Sequence, residues 1–311
     1  MKQKLVVIVG PTAVGKTALS IEVAKKFGGE VISGDSMQIY RGLDIGTAKV
    51  TETEKNGVPH HMIDIVEPDQ TFSVADFQQA VDQNIQALYH QNKLPIIAGG
   101  TGLYIQSVLY GYQFSENQRS EGYQKIIEEE IEREGIDNVF KRLERVDPVQ
   151  AKKIHPNNQR RLIRALEVYD RTGMTMTAYQ NSQQQDSAYD FRIIGLEMDR
   201  QLLYERINQR VDMMIEQGLI AEVEQLYRAG LEDCQSMRGI GYKEIIPYLK
   251  GEQSLEEATE LLKRNSRRFA KRQFTWFKNK MPVDWYSIRP ETKHKVFQNI
   301  LSDLEGFFAK R

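Results

Sequence analysis

The sequence has 311 residues, 40% of them hydrophobic and 27% charged, with a formal net charge of −1; this length allows one large or two modest domains with a real core. No apolar run approaches the roughly 18 residues of a membrane span, and the start MKQKLVVIVGP lacks a signal-peptide pattern, so we expect a cytoplasmic protein without a membrane partner. Cys234 is the only cysteine, which excludes a disulfide framework and a Cys-based zinc site, and the near-neutral charge means that local patches decide any affinity for nucleic acid.

A phosphate loop follows the first predicted strand. The apolar run Leu5–Val9 is followed by GPTAVGKT, which fits G-x-x-x-x-G-K-[ST], and by a predicted helix from Lys16 to Phe27. A strand before the loop and a helix after it make this a specific match, because the loop amides then converge on an anion at the helix N-terminus. Lys16 would neutralise phosphate charge and the Thr17 hydroxyl would face Mg²⁺. The predicted phosphate-binding residues are Gly10, Pro11, Thr12, Ala13, Val14, Gly15, Lys16 and Thr17.

Further strands and helices alternate along the first third of the chain. Glu30–Ser33 is a second short strand, and Ser73 with Asp76 forms a capping box before an apolar stripe at helical spacing. Leu94–Ala98 is another strand, and Gly99–Gly102 follows it. This alternation predicts an α/β fold with a doubly wound parallel sheet that contains the phosphate loop. Ligands bind at the carboxyl ends of such strands. Three polar clusters fall there: the phosphate loop, Gly34-Asp35-Ser36 and the Gly99–Gly102 turn.

Asp35 has two interpretations. The strand Leu94–Ala98 has no acid at its end, where ATP-hydrolysing proteins usually carry one for Mg²⁺, whereas Asp35 follows the second strand in ISGDSMQIY. That position suits a general base that acts on an acceptor near the phosphates. A helix N-cap, with Ser36 beginning the next turn, explains Asp35 equally well.

The middle of the chain changes in character. From about Phe114 the segments are short, charged and helical, and NQRRLIRALEVYDRTG predicts a clearer helix that closes at Gly173. The polar stretch NSQQQDSAYD follows, and the sheet pattern resumes with FRIIGLEM. We therefore predict an all-helical domain at residues 114–188, inserted into an α/β core formed by residues 1–113 and 189–311.

Two basic features lie in the last third. Arg206 and Arg210 are four residues apart beside a predicted buried helix stripe, which by spacing alone favours a solvated face. Lys263–Lys280 carries eight basic residues and no acid, with four aromatic residues among them, in the later part of a helix that begins with a capping box at Ser254–Glu257. This segment fits a polyanion better than a solvated helix whose aromatic residues pack on the sheet.

Taken together, the motifs resemble the bacterial tRNA dimethylallyltransferase family, also called tRNA isopentenyltransferases. They occur in the order GPTAVGKT, GDSMQIYRGLDIGTAK, PHHMIDI, AGGTGLYIQ, IHPNN-x-RRLIRALEVY, GYKE and AKRQFTWF, and span nearly the whole chain. The resemblance implies transfer of a dimethylallyl group from dimethylallyl diphosphate to the exocyclic amine of adenosine 37 in tRNA. The phosphate loop would then hold the diphosphate of the donor, and no phosphoryl group would move.

The resemblance also implies roles for individual residues. Asp35 would accept the amine proton, Thr101 would hydrogen-bond the bridging oxygen of the donor, and Arg210 would lie near the diphosphate. Mg²⁺ would be the cofactor, and a monomer without a protein partner is expected. The implied tRNA contacts are Asp35, Ser36, Met37, Gln38, Thr101, Tyr123, Gln159, Arg160, Arg161, Leu162, Ile163, Ile240, Gly241, Tyr242, Lys243, Glu244 and Ile245.

Two rival functions share some of these features. A small-molecule or nucleoside kinase would explain the phosphate loop and a base at Asp35, but not the basic segment. A non-catalytic RNA-binding module with a relic phosphate loop would explain the basic segment. The intact set of Lys16, Thr17, Asp35 and Thr101 argues against that second rival.

Overall fold

A computed structural model describes residues 2–114, 121–182 and 186–309 of the chain. Residues 183–185, which belong to the predicted polar linker, lie outside these ranges. Two compact units are present: Met1–Leu109 together with Ala188–Arg311, and Tyr110–Ser187. The change from one unit to the other therefore falls at Tyr110, whereas the sequence predicted it at Phe114.

The first unit contains one six-stranded parallel sheet. Its order is β3-β2-β4-β1-β5-β6, with all five neighbouring pairs parallel. Because parallel neighbours need crossovers, helices pack on both faces, and the predicted doubly wound fold is confirmed. The strands are β1 (Gln3–Val9), β2 (Gly29–Gly34), β3 (His60–His61), β4 (Leu94–Gly99), β5 (Tyr189–Glu197) and β6 (Asp284–Ser287).

Fourteen α-helices are present in the described residues. Those of the first unit are α1 (Lys16–Phe27), α2 (Glu52–Lys55), α3 (Val74–His90), α4 (Gly102–Tyr110, whose last residue belongs to the second unit), α10 (Arg200–Glu216), α11 (Leu219–Arg228), α12 (Ile246–Leu249), α13 (Leu255–Lys280) and α14 (Lys293–Ala309). Those of the second unit are α5 (Glu121–Glu134), α6 (Ile136–Val146), α7 (Pro148–Ala151), α8 (Gln159–Thr172) and α9 (Met176–Ser182).

Local sequence signals set several of these boundaries. Helix α1 ends because Gly28 adopts the left-handed conformation at its C-terminus, as the glycine pair predicted. Ser73 begins α3 with both hydrogen bonds of a capping box, and Ser254 does the same for α13. No helix within the described ranges has both the length and the apolarity needed to cross a membrane.

The second unit packs around an apolar core of its own. The amphipathic helices α6 and α8 contribute most of it, since they carry apolar residues at helical spacing. Its buried members are Ile127, Val139, Phe140, Leu143, Ala151, Ile154, Leu162, Ile163, Ala165, Leu166, Val168 and Met176.

The central strands of the first unit approach each other closely where they end. Gly34 of β2 lies directly opposite Gly99 of β4. A Cβ atom built on Gly99 would lie 2.3 Å from the carbonyl carbon and oxygen of Gly34. This distance is too short for any side chain, so only glycine fits. This contact brings together the two turns that follow, Asp35–Ser36 and Gly100–Thr101, and Thr101 N–H donates to Gly34 O at 3.2 Å.

The contact predicts a large effect of Gly99→Ala. The added methyl group meets backbone atoms that cannot rotate away, so we expect a loss of roughly 1–3 kcal/mol in the free energy of unfolding. Urea unfolding followed by tryptophan fluorescence measures it, since Trp276 and Trp285 both belong to the first unit. The control is Gly306→Ala, where a Cβ meets nothing within 4 Å in helix α14; there we expect a gain of about 0.5–1 kcal/mol. Equal unfolding midpoints for the two variants would contradict the close contact.

Candidate active site

The phosphate loop joins β1 to α1. Gly10 has a φ of 145°, and a Cβ there would lie 2.5 Å from the carbonyl oxygen of Leu196, so the turn requires glycine. Lys16 folds back over the loop, where its Nζ donates to the carbonyl oxygens of Gly10 at 3.0 Å and Pro11 at 2.9 Å. The loop thus keeps its only lysine beside the anion site that its amides form.

The N-terminus of α1 is open. Gly15 occupies the N-cap position in the left-handed conformation, no side chain caps the helix, and no acidic residue lies in its first turn. The first amide groups of a helix have no partner within the helix, and the helix dipole favours negative charge there. An anion bound at this point would accept hydrogen bonds from these amide groups and interact favourably with the helix dipole.

Two arginines of α10 reach the same loop. Arg210 places Nη1 3.4 Å from Thr12 Oγ1 and Nη2 3.5 Å from the carbonyl oxygen of Ala48. Arg206 donates from Nε to the carbonyl oxygen of Ala13 at 3.1 Å. The sequence predicted a site role for Arg210 alone. The spacing of four residues was the available signal for Arg206, because it places both side chains on one face of a helix.

The electrostatics of the loop indicate an excess of positive charge. Burial lowers the pKa of Lys16 to about 8, an effect that Asp35 opposes and Arg210 reinforces. Burial also lowers the pKa of Arg210, an effect that the carboxylates of Asp35 and Glu54 oppose and Arg206 reinforces. Three cations, Lys16, Arg206 and Arg210, thus face two carboxylates, Asp35 and Glu54, and a polyanionic ligand would supply the missing negative charge.

Asp35 caps a turn and keeps one oxygen available. Its Oδ1 accepts the backbone N–H of Met37 at 2.9 Å, and Oδ2 has no donor among the residues that the structure describes. No helix begins at Ser36, where the chain bends and turns, so the interpretation of Asp35 as a helix N-cap is wrong. Capping of a turn through Oδ1 leaves Oδ2 able to accept a proton.

Thr101 is hydrogen-bonded to the turn that carries Asp35. Its Oγ1 accepts the backbone N–H of Ser36 at 3.1 Å and lies 3.4 Å from the Ser36 hydroxyl. The side chain of Gln38, in the same turn, accepts from the Ser33 hydroxyl at 3.0 Å and donates to the carbonyl oxygens of Thr47 and Ala48 at 3.3 Å. Hydrogen bonds therefore hold the turn at residues 35–38 on both sides.

The segment 240–245 is mostly internal. Tyr242 and Ile245 are fully buried, Glu244 is 1% exposed, and Lys243 alone is exposed. The Tyr242 hydroxyl donates to Glu222, whose carboxylate also accepts the backbone N–H groups of residues 44–46 at 2.7–3.0 Å. Most of these predicted tRNA contacts thus have side chains that pack inside the first unit, and Lys243 is the one whose side chain faces solvent.

The segment 159–163 lies at the N-terminus of α8 in the second unit. Arg160 and Arg161 are exposed, whereas Leu162 and Ile163 are buried in the core of that unit. An open depression of ≈ 460 Å³ adjoins this helix end and is lined by His155, Asn157, Asn158, Gln159 and Arg160. Only the polar half of the predicted segment therefore presents its side chains to a ligand.

Tyr123 also belongs to the second unit. It lies on α5, and its hydroxyl donates to the carboxylate of Asp170, which Arg142 contacts as well. The burial of this phenol and the adjacent carboxylate raise its pKa. A contact of Tyr123 with tRNA stays a prediction.

The basic part of α13 has aromatic residues that pack inside the first unit and basic residues that are free to meet a polyanion. Phe277 is fully buried and Phe274 packs on Trp285 with ring centroids 5.0 Å apart, as expected for aromatic residues that pack on the sheet. Lys263 pairs with Asp212 at 2.8 Å. Six other basic side chains of the segment are exposed and form a cationic surface: Arg264, Arg268, Lys271, Arg272, Lys278 and Lys280.

No group of three or more His, Cys, Asp or Glu side chains within the described ranges is arranged to hold a metal ion. Thr17, the predicted Mg²⁺ ligand, is exposed at the start of α1, and no described residue hydrogen-bonds its hydroxyl. Mg²⁺ typically binds through one or two protein oxygens, several waters and the phosphates of a ligand. A single free hydroxyl beside a phosphate loop fits that mode of binding.

The chain is similar to one known protein family and to solved structures. The family model for IPP transferases matches residues 38–280. A tRNA dimethylallyltransferase from Oceanobacillus iheyensis is 58% identical over 311 residues, which are 100% of this chain and 99% of that protein. A full-length tRNA isopentenylpyrophosphate transferase from Bacillus halodurans has a TM-score of 0.74 at 48% identity, over 98% of this chain and 96% of that one. A eukaryotic dimethylallyltransferase described as acting on tRNA has a TM-score of 0.84 at 30% identity, over 99% of this chain and 80% of that one.

The lowered pKa of Lys16 predicts a pH dependence of anion binding. Lys16→Met should weaken the binding of pyrophosphate near pH 7, because one cation is lost. Above about pH 8, free wild-type protein loses the same charge. The Kd of Lys16→Met divided by the Kd of wild type should therefore fall by up to about tenfold per pH unit. Calorimetric titration with pyrophosphate at pH 7 to 9.5 measures this ratio, in which the titration of the ligand cancels.

Lys25→Met is the matched control for that experiment. Lys25 is exposed in the last turn of the same helix, away from the loop, and its loss should leave pyrophosphate binding unchanged at every pH. A Kd ratio between wild type and Lys16→Met that stays constant from pH 7 to 9.5 would refute the lowered pKa.

Proposed function

The chain belongs to the IPP transferase family, and from this premise we propose that it transfers a dimethylallyl group from dimethylallyl diphosphate to the exocyclic amine of adenosine 37 in tRNA. The observation that carries the proposal is the arrangement at the edge of the sheet. A cationic phosphate loop lies at the end of β1, and Asp35 with Thr101 follows β2 and β4 at the same edge. A kinase would explain the loop, but it would not explain the membership of the family.

The loop suits a leaving diphosphate. In the proposed reaction the bond between the allylic carbon and the bridging oxygen breaks, and its electron pair stays with the diphosphate. Negative charge therefore grows on the leaving group, where the loop amides, Lys16, Arg206 and Arg210 can stabilise it. The Thr101 hydroxyl would donate to the bridging oxygen, which places a hydrogen bond where the charge first appears.

Asp35 suits the acceptor side. The amine of adenine is a weak nucleophile because its lone pair is delocalised into the ring. As the new carbon–nitrogen bond forms, the amine loses a proton, and Oδ2 of Asp35 is the free oxygen that can accept it. The Met37 amide holds Oδ1 and thereby orients the carboxylate.

We include Mg²⁺ in the proposal as the cofactor. The Thr17 hydroxyl would be its protein ligand, and the ion would neutralise charge on the diphosphate. The exposed, unengaged Thr17 hydroxyl supports this placement. The residues of the chain supply the remaining contacts to the diphosphate, as described above.

We propose that tRNA contacts both units. In the first unit, the exposed cations of α13 and Lys243 would meet phosphates, and in the second unit Arg160 and Arg161 would do so. The acceptor adenine lies in a loop and must leave its stack to reach Asp35, at a cost of a few kcal/mol. A monomer that acts in the cytoplasm, where the substrate tRNA occurs, completes the proposal.

Label transfer tests the function directly. Protein is incubated with unmodified tRNA and dimethylallyl diphosphate that carries a label in its carbon chain, and in parallel with γ-labelled ATP and no donor. We expect label from the first compound in tRNA, dependent on a divalent cation, and no label from ATP in any small molecule. Label that passes from ATP to a small molecule, with none passing from the donor to tRNA, would refute the proposal.

Asp35→Asn separates proton acceptance from capping in the same assay. Asparagine keeps the oxygen that accepts the Met37 amide but removes the base, so single-turnover transfer should fall roughly 10²–10⁴-fold with thermal unfolding unchanged. Asp199→Asn is the matched control, because Asp199 caps α10 through the amides of Gln201 and Leu202 and lies outside the site. Near wild-type transfer by Asp35→Asn would remove the general base from the mechanism.

A further inference from the structure

A buried glutamine joins the phosphate loop to the loop that carries Thr101. Gln273 lies in the last third of α13 and is 5% exposed. Its Oε1 accepts the backbone N–H of Thr12 at 2.9 Å, and its Nε2 donates to the carbonyl oxygen of Gly100 at 3.1 Å. One side-chain amide thus pairs with backbone groups of both loops, and neither proposed substrate is needed to complete these bonds.

The Gly100 loop is shaped around this amide. A Cβ atom built on Gly100 would lie 2.0 Å from Gln273 Nε2, and the next contact outside that side chain, the carbonyl oxygen of Gly10, is 3.7 Å away. The φ of Gly100 lies outside the left-handed region, so its backbone conformation does not itself require glycine. A side chain at this position would therefore have to displace the Gln273 amide.

The bridge continues to the reacting groups. Thr101 follows Gly100 directly, and its Oγ1 accepts the backbone N–H of Ser36, the neighbour of Asp35. A continuous path of hydrogen bonds and peptide bonds thus runs from Thr12, in the diphosphate loop, through Gln273 to the turn that carries the base. Changes in the position of the amide would shift the donor loop relative to Thr101 and Asp35.

We propose that Gln273 is a positioning residue that fixes the distance between the leaving diphosphate and the Thr101–Asp35 pair; this inference rests on the transfer reaction proposed above. Alignment of reacting atoms contributes to the transition state more than to the binding of either substrate, and a misplacement of about 1 Å can lower a rate about 10²-fold. A glutamine that only fills the core would instead affect stability and leave the rate at saturation unchanged.

Gln273→Met tests the bridge, because methionine keeps the length and unbranched shape of the side chain but makes neither hydrogen bond. Single-turnover transfer at saturating donor and tRNA should fall at least about tenfold, whereas the Kd for pyrophosphate should change less than about threefold. Gln235→Met is the matched control. It removes a hydrogen bond of similar length, from Gln235 Nε2 to the carbonyl oxygen of Phe72 at 2.9 Å, which lies outside the site, and it should leave transfer unchanged.

Gly100→Ala tests the same bridge from its other end and serves if Gln273→Met does not fold. The new methyl group displaces the Gln273 amide, so transfer should slow to a similar extent. In a Gln273→Ala background the obstacle is gone, and adding Gly100→Ala should change the rate less than about twofold. If the fold-reductions in transfer rate of the two single variants multiply in the double variant, the inference is overturned, since the two residues would then act independently.

The outcomes distinguish the inference from the function on which it rests. Wild-type protein that transfers label, together with a Gln273→Met variant that transfers it equally fast at saturation, would overturn the inference alone. Slow transfer accompanied by an equal loss of pyrophosphate affinity would also overturn it, because the residue would then belong to donor binding. Wild-type protein that transfers no label to tRNA would overturn the proposed function and the inference with it.

Discussion

Positive charge that the protein itself does not neutralise is the constraint on which this site depends. Lys16 and Arg210 are half-buried beside the Asp35 carboxylate, and burial lowers the pKa of both side chains because it disfavours their charged forms. Arg206 adds a third positive charge and Glu54 only a second negative one. Such an arrangement is unfavourable without a ligand and becomes favourable when a polyanion binds. The open N-terminus of α1 adds to the same demand, and a diphosphate meets it without any phosphoryl transfer.

The second constraint is the geometry of parallel strands. Parallel neighbours end at the same edge of a sheet, so the turns after β1, β2 and β4 must lie side by side. The pairing of Gly34 with Gly99 brings two of these turns into contact, and the hydrogen bond from Ser36 to Thr101 then fixes them. A leaving group and a proton acceptor are thereby presented to one reaction, although their residues lie far apart in sequence.

The sequence predicted what local signals determine. The phosphate loop, the capping boxes at Ser73 and Ser254, and the apolar strands were recognisable because each signal spans a few consecutive residues. Strands β3 and β6 escaped prediction because they are short and lack an apolar run. The role of Gln273 could not be predicted, since its partner Thr12 is 261 residues away. The burial of Tyr242 was equally hidden, because it follows from an apolar cluster whose members, such as Ile39 and Leu262, are far apart in sequence.

In the proposed reaction the phosphate loop holds a leaving group rather than a group to be transferred. Dimethylallyl diphosphate labelled with ¹⁸O in the bridging oxygen between carbon and phosphorus tests it most directly, with ³¹P NMR of the products after reaction with tRNA. Cleavage of the carbon–oxygen bond leaves all the ¹⁸O on the released diphosphate, and the isotope shift of its phosphorus signal reports this result, which we predict. Diphosphate or phosphate without ¹⁸O, together with labelled dimethylallyl alcohol, would show cleavage of the phosphorus–oxygen bond and would contradict the account.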